Sequence, residues 1–306
     1  MTFELSSQSL SARLFTQLSK IIFKFFFRSR VLIAEKNIER SNLFKDSIIT
    51  KQEIKPLIDR SLDHLALTLY HSLCRALRPS RKHLINELNE LSLEQRLDHL
   101  NERGIELTCE VQLKDLLSDQ RGIVFISAHI GAWEELIILG VLIGRPISII
   151  SKRMKISWAQ RLWDLSRRSG AKRLDRGSSR GRIAVRSLRA GECIGAVIDQ
   201  HDPRSSAIEC QFLGRPAATS PDMIRAALIA DARIVPIFMI RGSDRPGYTH
   251  RLHIFPVIDP RNHMNGERSK PELIAALTQR CCDEVAKAIL MYPSQWLWIH
   301  RRWKLD

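Results

Sequence analysis

The segment IVFISAHIGAWEEL, residues 123 to 136, carries His129 and Glu134 just where an apolar run stops. An imidazole, with an ordinary pKa of about 6.5, takes and returns a proton at neutral pH. A carboxylate beside it fixes the tautomer and stabilises the ring once it is charged. General acid–base chemistry is what this pair invites, with Glu134 orienting His129. Gly131 between them has no Cβ and lets the backbone approach a neighbour closely. The plainer alternative is a hydrogen-bonded core histidine followed by an acid that complements a helix N terminus.

Other constellations are weaker. GSSRG, residues 177 to 181, satisfies G-x-S-x-G and would make Ser179 a nucleophile, but the polar AKRLDR precedes it. That elbow requires an apolar strand directly before the serine. No G-x4-G-K-[ST] phosphate loop occurs. His250 and His253 have no third ligand in sequence, a pattern commoner on surfaces than in metal sites. The cysteines, Cys74, Cys109, Cys193, Cys210, Cys281 and Cys282, form no C-x-x-C pair, which suits reduced, buried thiols in a cytosolic setting.

The elements that would position His129 can be read from periodicity. Strands are expected at 123 to 127, 147 to 151, 193 to 199, 233 to 240 and near 249 to 258. Helices are expected at 57 to 77, 81 to 100, 132 to 143, 158 to 168, 181 to 191, 221 to 231 and 271 to 291. Strands alternating with helices predict an α/β fold: a largely parallel mixed sheet flanked by helices, with an N-terminal helical extension. In such sheets ligands gather beyond the carboxyl ends of strands. His129 lies just past one such end and Asp199 terminates another. The organisation expected is an amphipathic membrane-associating segment over 1–30, a helical region over 31–104 and an α/β domain over 105–306.

Lys and Arg number 48 against 33 Asp and Glu, a net charge of +15, which favours acidic partners. From Lys152 to Arg189 there are thirteen basic residues and two acids. No zinc-finger or RNA-recognition signature accompanies them, which argues against nucleic acid. In ARLFTQLSKIIFKFFFRSR, residues 12 to 30, Leu14, Leu18, Ile21, Ile22, Phe25 and Phe26 fall near one helical face among basic residues. That pattern suits a helix lying in a lipid headgroup layer, or one packed on the domain.

HIGAWE (129 to 134), RSGAKRLDR (168 to 176), IDQHDPRSS (198 to 206), FLGRPAATS (212 to 220), ARIVPIFMIR (232 to 241) and QWLWIHRRWK (295 to 304) follow a familiar order. In these blocks, from about residue 31 onward, the chain resembles the bacterial lipid A biosynthesis acyltransferases, of the lysophospholipid-acyltransferase-like superfamily. The resemblance implies a glycerolipid-acyltransferase-like fold. It also implies transfer of a fatty acyl group from a thioester, on acyl carrier protein or coenzyme A, to a hydroxyl of a lipid A precursor or related glycolipid. No cofactor or metal is implied. A superfamily member acylating a lysophospholipid or aminolipid is the alternative enzyme, and a non-catalytic membrane-binding protein the alternative outside catalysis.

By the same resemblance His129 and Glu134 match the family's His-x4-acid dyad, with His129 the general base. Gly131, Arg168, Arg176, Asp199 and Arg215 are implied at the substrate pocket, and backbone N–H groups near Gly131 would steady an oxyanion. Acyl carrier protein, an anionic membrane surface and a glycolipid acceptor are the partners implied. The place implied is the cytoplasmic face of a bacterial inner membrane, held peripherally or monotopically. Two departures stand out: the family's HxGNWE reads HIGAWE here, with Ala132 for the asparagine, and its N-terminal membrane helix is reduced to a lysine-interrupted apolar stretch.

Overall fold

The run Ile123–Ser127 forms β2, a strand buried at every position. Its side chains alternate between two apolar clusters: Val124 and Ile126 join one, Ile123 and Phe125 the other. A strand apolar on both sides belongs inside a parallel sheet covered by helices, and each large side chain so buried contributes roughly 1.5–3 kcal/mol. The structure, a computed structural model, describes residues 8–46, 48–77, 91–108, 114–116, 118–151, 156–167, 172–174, 180–263 and 269–303.

In chain order these contain helices α1 (Leu10–Phe26), α2 (Arg28–Glu39), α3 (Asn42–Lys45), α4 (Lys51–Leu77) and α5 (Leu93–Glu102), then strand β1 (Ile105–Thr108) and β2. A 3-10 helix (Trp133–Ile138) runs into the short α6 (Leu139–Leu142), followed by β3 (Ile147–Ile150), α7 (Ser157–Arg167), β4 (Lys172–Leu174), α8 (Arg180–Arg189) and β5 (Cys193–Val197). The remainder is β6 (Ile208–Phe212), β7 (Arg215–Thr219), α9 (Asp222–Ala230), β8 (Arg233–Arg241), β9 (His250–Ile254) and α10 (Lys270–Met291).

The main sheet has seven strands in the order β1-β9-β8-β2-β5-β3-β4. All neighbours are parallel except β8 and β9, so the expected mixed, largely parallel sheet is what forms. The hairpin β6–β7 stands apart. It turns on Leu213 and Gly214, both at positive φ, and docks on α3, where Asn42 N–H donates to the Leu213 carbonyl at 3.1 Å. Beyond the periodicity reading lie β1 and this hairpin. The stretch expected as one helix at 132–143 instead opens with the 3-10 turn. Of the helix expected at 81–100, residues 81–90 lie outside the described residues, and from Leu93 the capped α5 forms.

Helices α2 and α4 share the core of the sheet: Ala34, Ile38, Leu57 and Leu62 pack in one cluster with Val124, Ile126, Ile194 and Trp296. Helix α1 packs on α4 through Ala12 and Thr16, its two buried residues. Lys20 and Lys24 reach down to Asp63 and Asp59 of α4 at 2.6 and 2.5 Å. These two lysines therefore face the protein, while Arg13 is exposed. Leu14, Leu18, Ile21, Phe25 and Phe26 face outward, with Phe25 79% and Leu14 62% exposed. Among the described residues no helix is long and apolar enough to cross a membrane.

Candidate active site

The parallel register of β2 and β5 pairs Ser127 with Val197. Two residues further along each chain, His129 and Asp199 come side by side beyond the carboxyl edge of the sheet. The Asp199 carboxylate is fully buried and accepts three hydrogen bonds. One comes from the His129 backbone N–H at 2.9 Å, one from the His129 ring Nδ1 at 2.9 Å and one from the Trp296 indole at 2.8 Å. Burial alone would raise this carboxyl's pKa, but the imidazolium charge of His129 and these bonds hold it well below the usual carboxylate range. The converse holds for His129: burial pulls the ring down, and the Asp199 charge and hydrogen bond outweigh it, leaving the pKa above the ordinary value. With Nδ1 donating to Asp199, Nε2 is the atom available to take a proton.

Among the described residues no hydrogen bond joins Glu134 to the His129 ring, the orienting contact its spacing had suggested, although its charge adds to that of Asp199 in raising the ring's pKa. The Glu134 carboxylate receives both prongs of Arg167, Nε at 3.0 Å and Nη2 at 2.8 Å. The reason is local geometry. The chain leaves His129 through a tight turn into a 3-10 helix, and the end of α7 brings Arg167 against Glu134 before the histidine ring can claim it. Asp199, expected as a pocket residue, is likewise reassigned: it stands behind the ring and forms no part of the cavity lining.

Gly131 is a packing glycine. Its φ is +60°, and a Cβ would lie 2.2 Å from the Met239 carbonyl oxygen, so no other residue fits. The N–H groups around it are already engaged: Ile130 to Ala128 O, Gly131 to Gln295 O and Ala132 to Met239 O, at 2.8, 3.0 and 2.7 Å. These three N–H groups are therefore not free for an oxyanion. The Gly131 carbonyl in turn accepts from the buried Arg241 guanidinium at 2.5 Å, which fixes the turn that carries His129. Ala132, where the family pattern has asparagine, is buried in the apolar cluster with Phe125 and Leu139.

His129 opens onto a cavity of about 860 Å³. Phe125, Leu139, Ile147, Ile149 and Trp163 contribute apolar surface to it, and Glu134, Arg167, Gln200 and His300 are among its polar lining. A space of this size with an apolar body and a few convergent polar groups fits a flexible hydrocarbon chain carrying one reactive polar end. Among the described residues no group of three or more His, Cys, Asp and Glu is arranged to hold a metal ion.

The remaining expectations divide. Arg215 begins β7 and stacks over the Trp303 ring, 5.5 Å from its centroid; it does not line the cavity. Arg168 and Arg176 lie outside the described residues. Arg167, Gln200 and His300 were not singled out by residue type. Gln200 Nε2 sits 3.5 Å from His129 Nε2 and 3.3 Å from His300 Nε2. The two imidazole centroids are 5.1 Å apart. The signal that might have found Gln200 is its place directly after Asp199 at the end of β5. His300 arrives by tertiary folding alone, as Ile130 bridges to Trp296 and Leu297 N–H donates to the His129 carbonyl.

The chain is similar to known proteins in sequence and, distantly, in structure. The chain is 29% identical over 215 residues to the lipid A biosynthesis lauroyltransferase of Escherichia coli (strain K12), a match covering 66% of this chain and 62% of that enzyme. Among solved structures it is similar to the 1-acyl-sn-glycerophosphate acyltransferase PlsC from Thermotoga maritima. That match has 16% identity and a TM-score of 0.36, covering 74% of this chain and 97% of the other, too distant to transfer residue roles. The model of the bacterial lipid A biosynthesis acyltransferases matches residues 5–305, and the chain belongs to that family.

Proposed function

We propose that this protein moves a fatty acyl chain from a carrier thioester to a hydroxyl of a lipid A precursor or a related glycolipid. The observation that carries the reading is the His129 ring, held by the buried Asp199 and opening onto a deep, largely apolar cavity. In this reaction the acceptor O–H gives its proton to His129 Nε2 while its oxygen attacks the thioester carbonyl carbon. The carbonyl electron pair moves onto oxygen, forming a tetrahedral oxyanion. Collapse re-forms the carbonyl and expels the thiolate, which takes the proton back from His129, so ester and thiol are the products. Asp199 orients the ring and stabilises its cationic form, the role the spacing had given to Glu134. Glu134 secures Arg167 in the polar lining of the cavity.

The donor is proposed to be acyl carrier protein, whose acidity suits a chain of net charge +15. The outward apolar face of α1 is proposed to lie in the headgroup layer of the inner membrane's cytoplasmic face, presenting the cavity to lipid acceptors. Incubating the protein with a radiolabelled dodecanoyl carrier-protein thioester and a bacterial glycolipid extract is expected to yield a new labelled lipid. Mass spectrometry should locate the added chain on a glycolipid, and label on a glycerophospholipid instead would redirect the acceptor assignment. H129A should lower turnover by about 10²–10⁴-fold; a folded variant with near-normal transfer rejects the mechanism. Charging the outward face (L14E/L18E/F25E) should cut binding to anionic vesicles about tenfold or more, with an unchanged unfolding midpoint. Unaltered flotation would remove the membrane role of α1.

A further inference from the structure

The geometry points to the Gln200 side-chain amide as a hydrogen-bond donor to the oxyanion of the acyl-transfer intermediate, with His300 as the positioning residue that sets the amide's orientation. This rests on the acyl-transfer reading above. The N–H groups of residues 129 to 132, the turn nearest the base, are bonded to Asp199, Ala128, Gln295 and Met239, so that stretch offers no donor. The Gln200 amide nitrogen, by contrast, lies at the mouth of the reacting atom, 3.5 Å from His129 Nε2.

Its orientation follows from what it meets. His129 donates through Nδ1 to Asp199, so its Nε2 carries a lone pair. His300 Nε2 lies 3.3 Å from the same amide nitrogen. With His300 in its Nδ1–H tautomer both ring nitrogens facing the carboxamide carry lone pairs, and its N–H end fits between them, one hydrogen toward each. Burial, reinforced by the neighbouring His129 charge, pushes the His300 pKa down to about 4, so the ring stays neutral when His129 takes the proton. The backbone is fixed as well: Arg302, fully buried, donates from Nη1 to the Gln200 carbonyl at 2.9 Å and is itself tied to Ala218 and Thr219. When the acceptor hydroxyl occupies His129 Nε2, it displaces the Gln200 N–H resting there. That hydrogen then faces the carbonyl oxygen as its charge develops, which is where a donor lowers the barrier most.

The test uses the full chain with the radiolabelled dodecanoyl carrier-protein thioester and a detergent-dispersed bacterial glycolipid extract. Q200A should lower kcat by about 10²-fold with KM within about threefold. Q200E, which turns a carboxylate toward the developing charge, should lose more. Because Gln200 is exposed, both variants are expected to unfold at the wild-type temperature. H300A should lose about tenfold in kcat, and H300Q, whose amide oxygen can accept the Gln200 N–H, should recover most of that loss. R167Q measured alongside tests another donor lining the cavity, whose Nη1 has no hydrogen-bond partner among the described residues; a loss in R167Q as large as that expected of Q200A, with Q200A itself near wild type, moves the donor role to Arg167 and overturns the Gln200 assignment. A folded Q200A within about threefold of wild-type kcat overturns the donor assignment while leaving acyl transfer intact. H300Q no better than H300A overturns the positioning role. A folded wild type that transfers no label removes the acyl-transfer reading and this inference with it.

Discussion

His129 and His253 are both shielded histidines at a seven-stranded sheet, yet their chemistry is opposite. His253, on β9, meets neutral partners: Thr108 Oγ1 at 3.3 Å and the Tyr292 hydroxyl at 3.0 Å. Burial and the nearby Arg251 push its pKa down to about 4, more than Glu106 can offset. His250, three positions earlier on the same strand, is pushed to about 4 by burial and Arg241. His129 is subject to the same burial and is raised, because a carboxylate with no exposure of its own sits on Nδ1. Desolvation alone keeps an imidazole neutral and inert, and a desolvated anion in contact reverses the sign. The difference lies entirely in which strand end the histidine occupies and what the neighbouring strand end carries.

Removing that anion is the most damaging way to break the contrast. D199N keeps the shape but not the charge, and should lower kcat at neutral pH by about 10³–10⁴-fold through loss of ring orientation and imidazolium stabilisation. It should also make His129 titrate as His253 does. The base works only when neutral, so activity is present above its pKa and lost as pH falls through it. In the wild type that acid limb of kcat/KM should lie above the ordinary 6.5 of histidine, and in D199N the residual activity should show it shifted downward. A limb that does not move on substitution would separate Asp199 from the titration of His129.

A smaller effect is expected from E134A. It leaves the Arg167 guanidinium without its partner, which should destabilise the fold by about 3 kcal/mol, read as a shift in urea midpoint, and lower kcat about tenfold. The double variant E134A/R167A should recover part of the stability. If E134A instead matched D199N in kcat and pH limb, Glu134 would be acting on His129 directly. The smallest effect should come from H253Q, whose amide can meet Thr108 and Tyr292: turnover within about twofold of wild type. A larger loss would show that the far side of the sheet feeds into the site.

How much of this was legible is best judged element by element. The apolar run before His129, the Cys193–Val197 strand and the Arg233–Arg241 strand follow from continuous hydrophobicity, because a strand buried on both faces leaves that mark in any context. The Ile208–Phe212 and Arg215–Thr219 hairpin does not: IECQF and RPAAT have weak alternation, and the pairing depends on Leu213 and Gly214 accepting positive φ against Asn42. Helix α1 was read with its apolar residues on one face, and periodicity left open whether that face turns outward or packs on the domain; it turns outward. The direction is set by Asp59 and Asp63 on α4 pulling Lys20 and Lys24 inward.

The sequence by itself determined the chemistry available: an imidazole just past a buried strand, a carboxylate at the end of another, a basic chain with an apolar N-terminal helix. These follow from side-chain type and short-range periodicity, which act within a few residues. The tertiary structure alone decided which acid serves the imidazole. A register between strands 70 residues apart brings Asp199 to Nδ1, and the end of a distant helix takes Glu134 away through Arg167. It also brought His300 and Gln200 to the proton-accepting edge of the ring. Hydrogen bonds act over about 3 Å of space and are indifferent to separation along the chain, so spacing could nominate the partners but only folding could pair them.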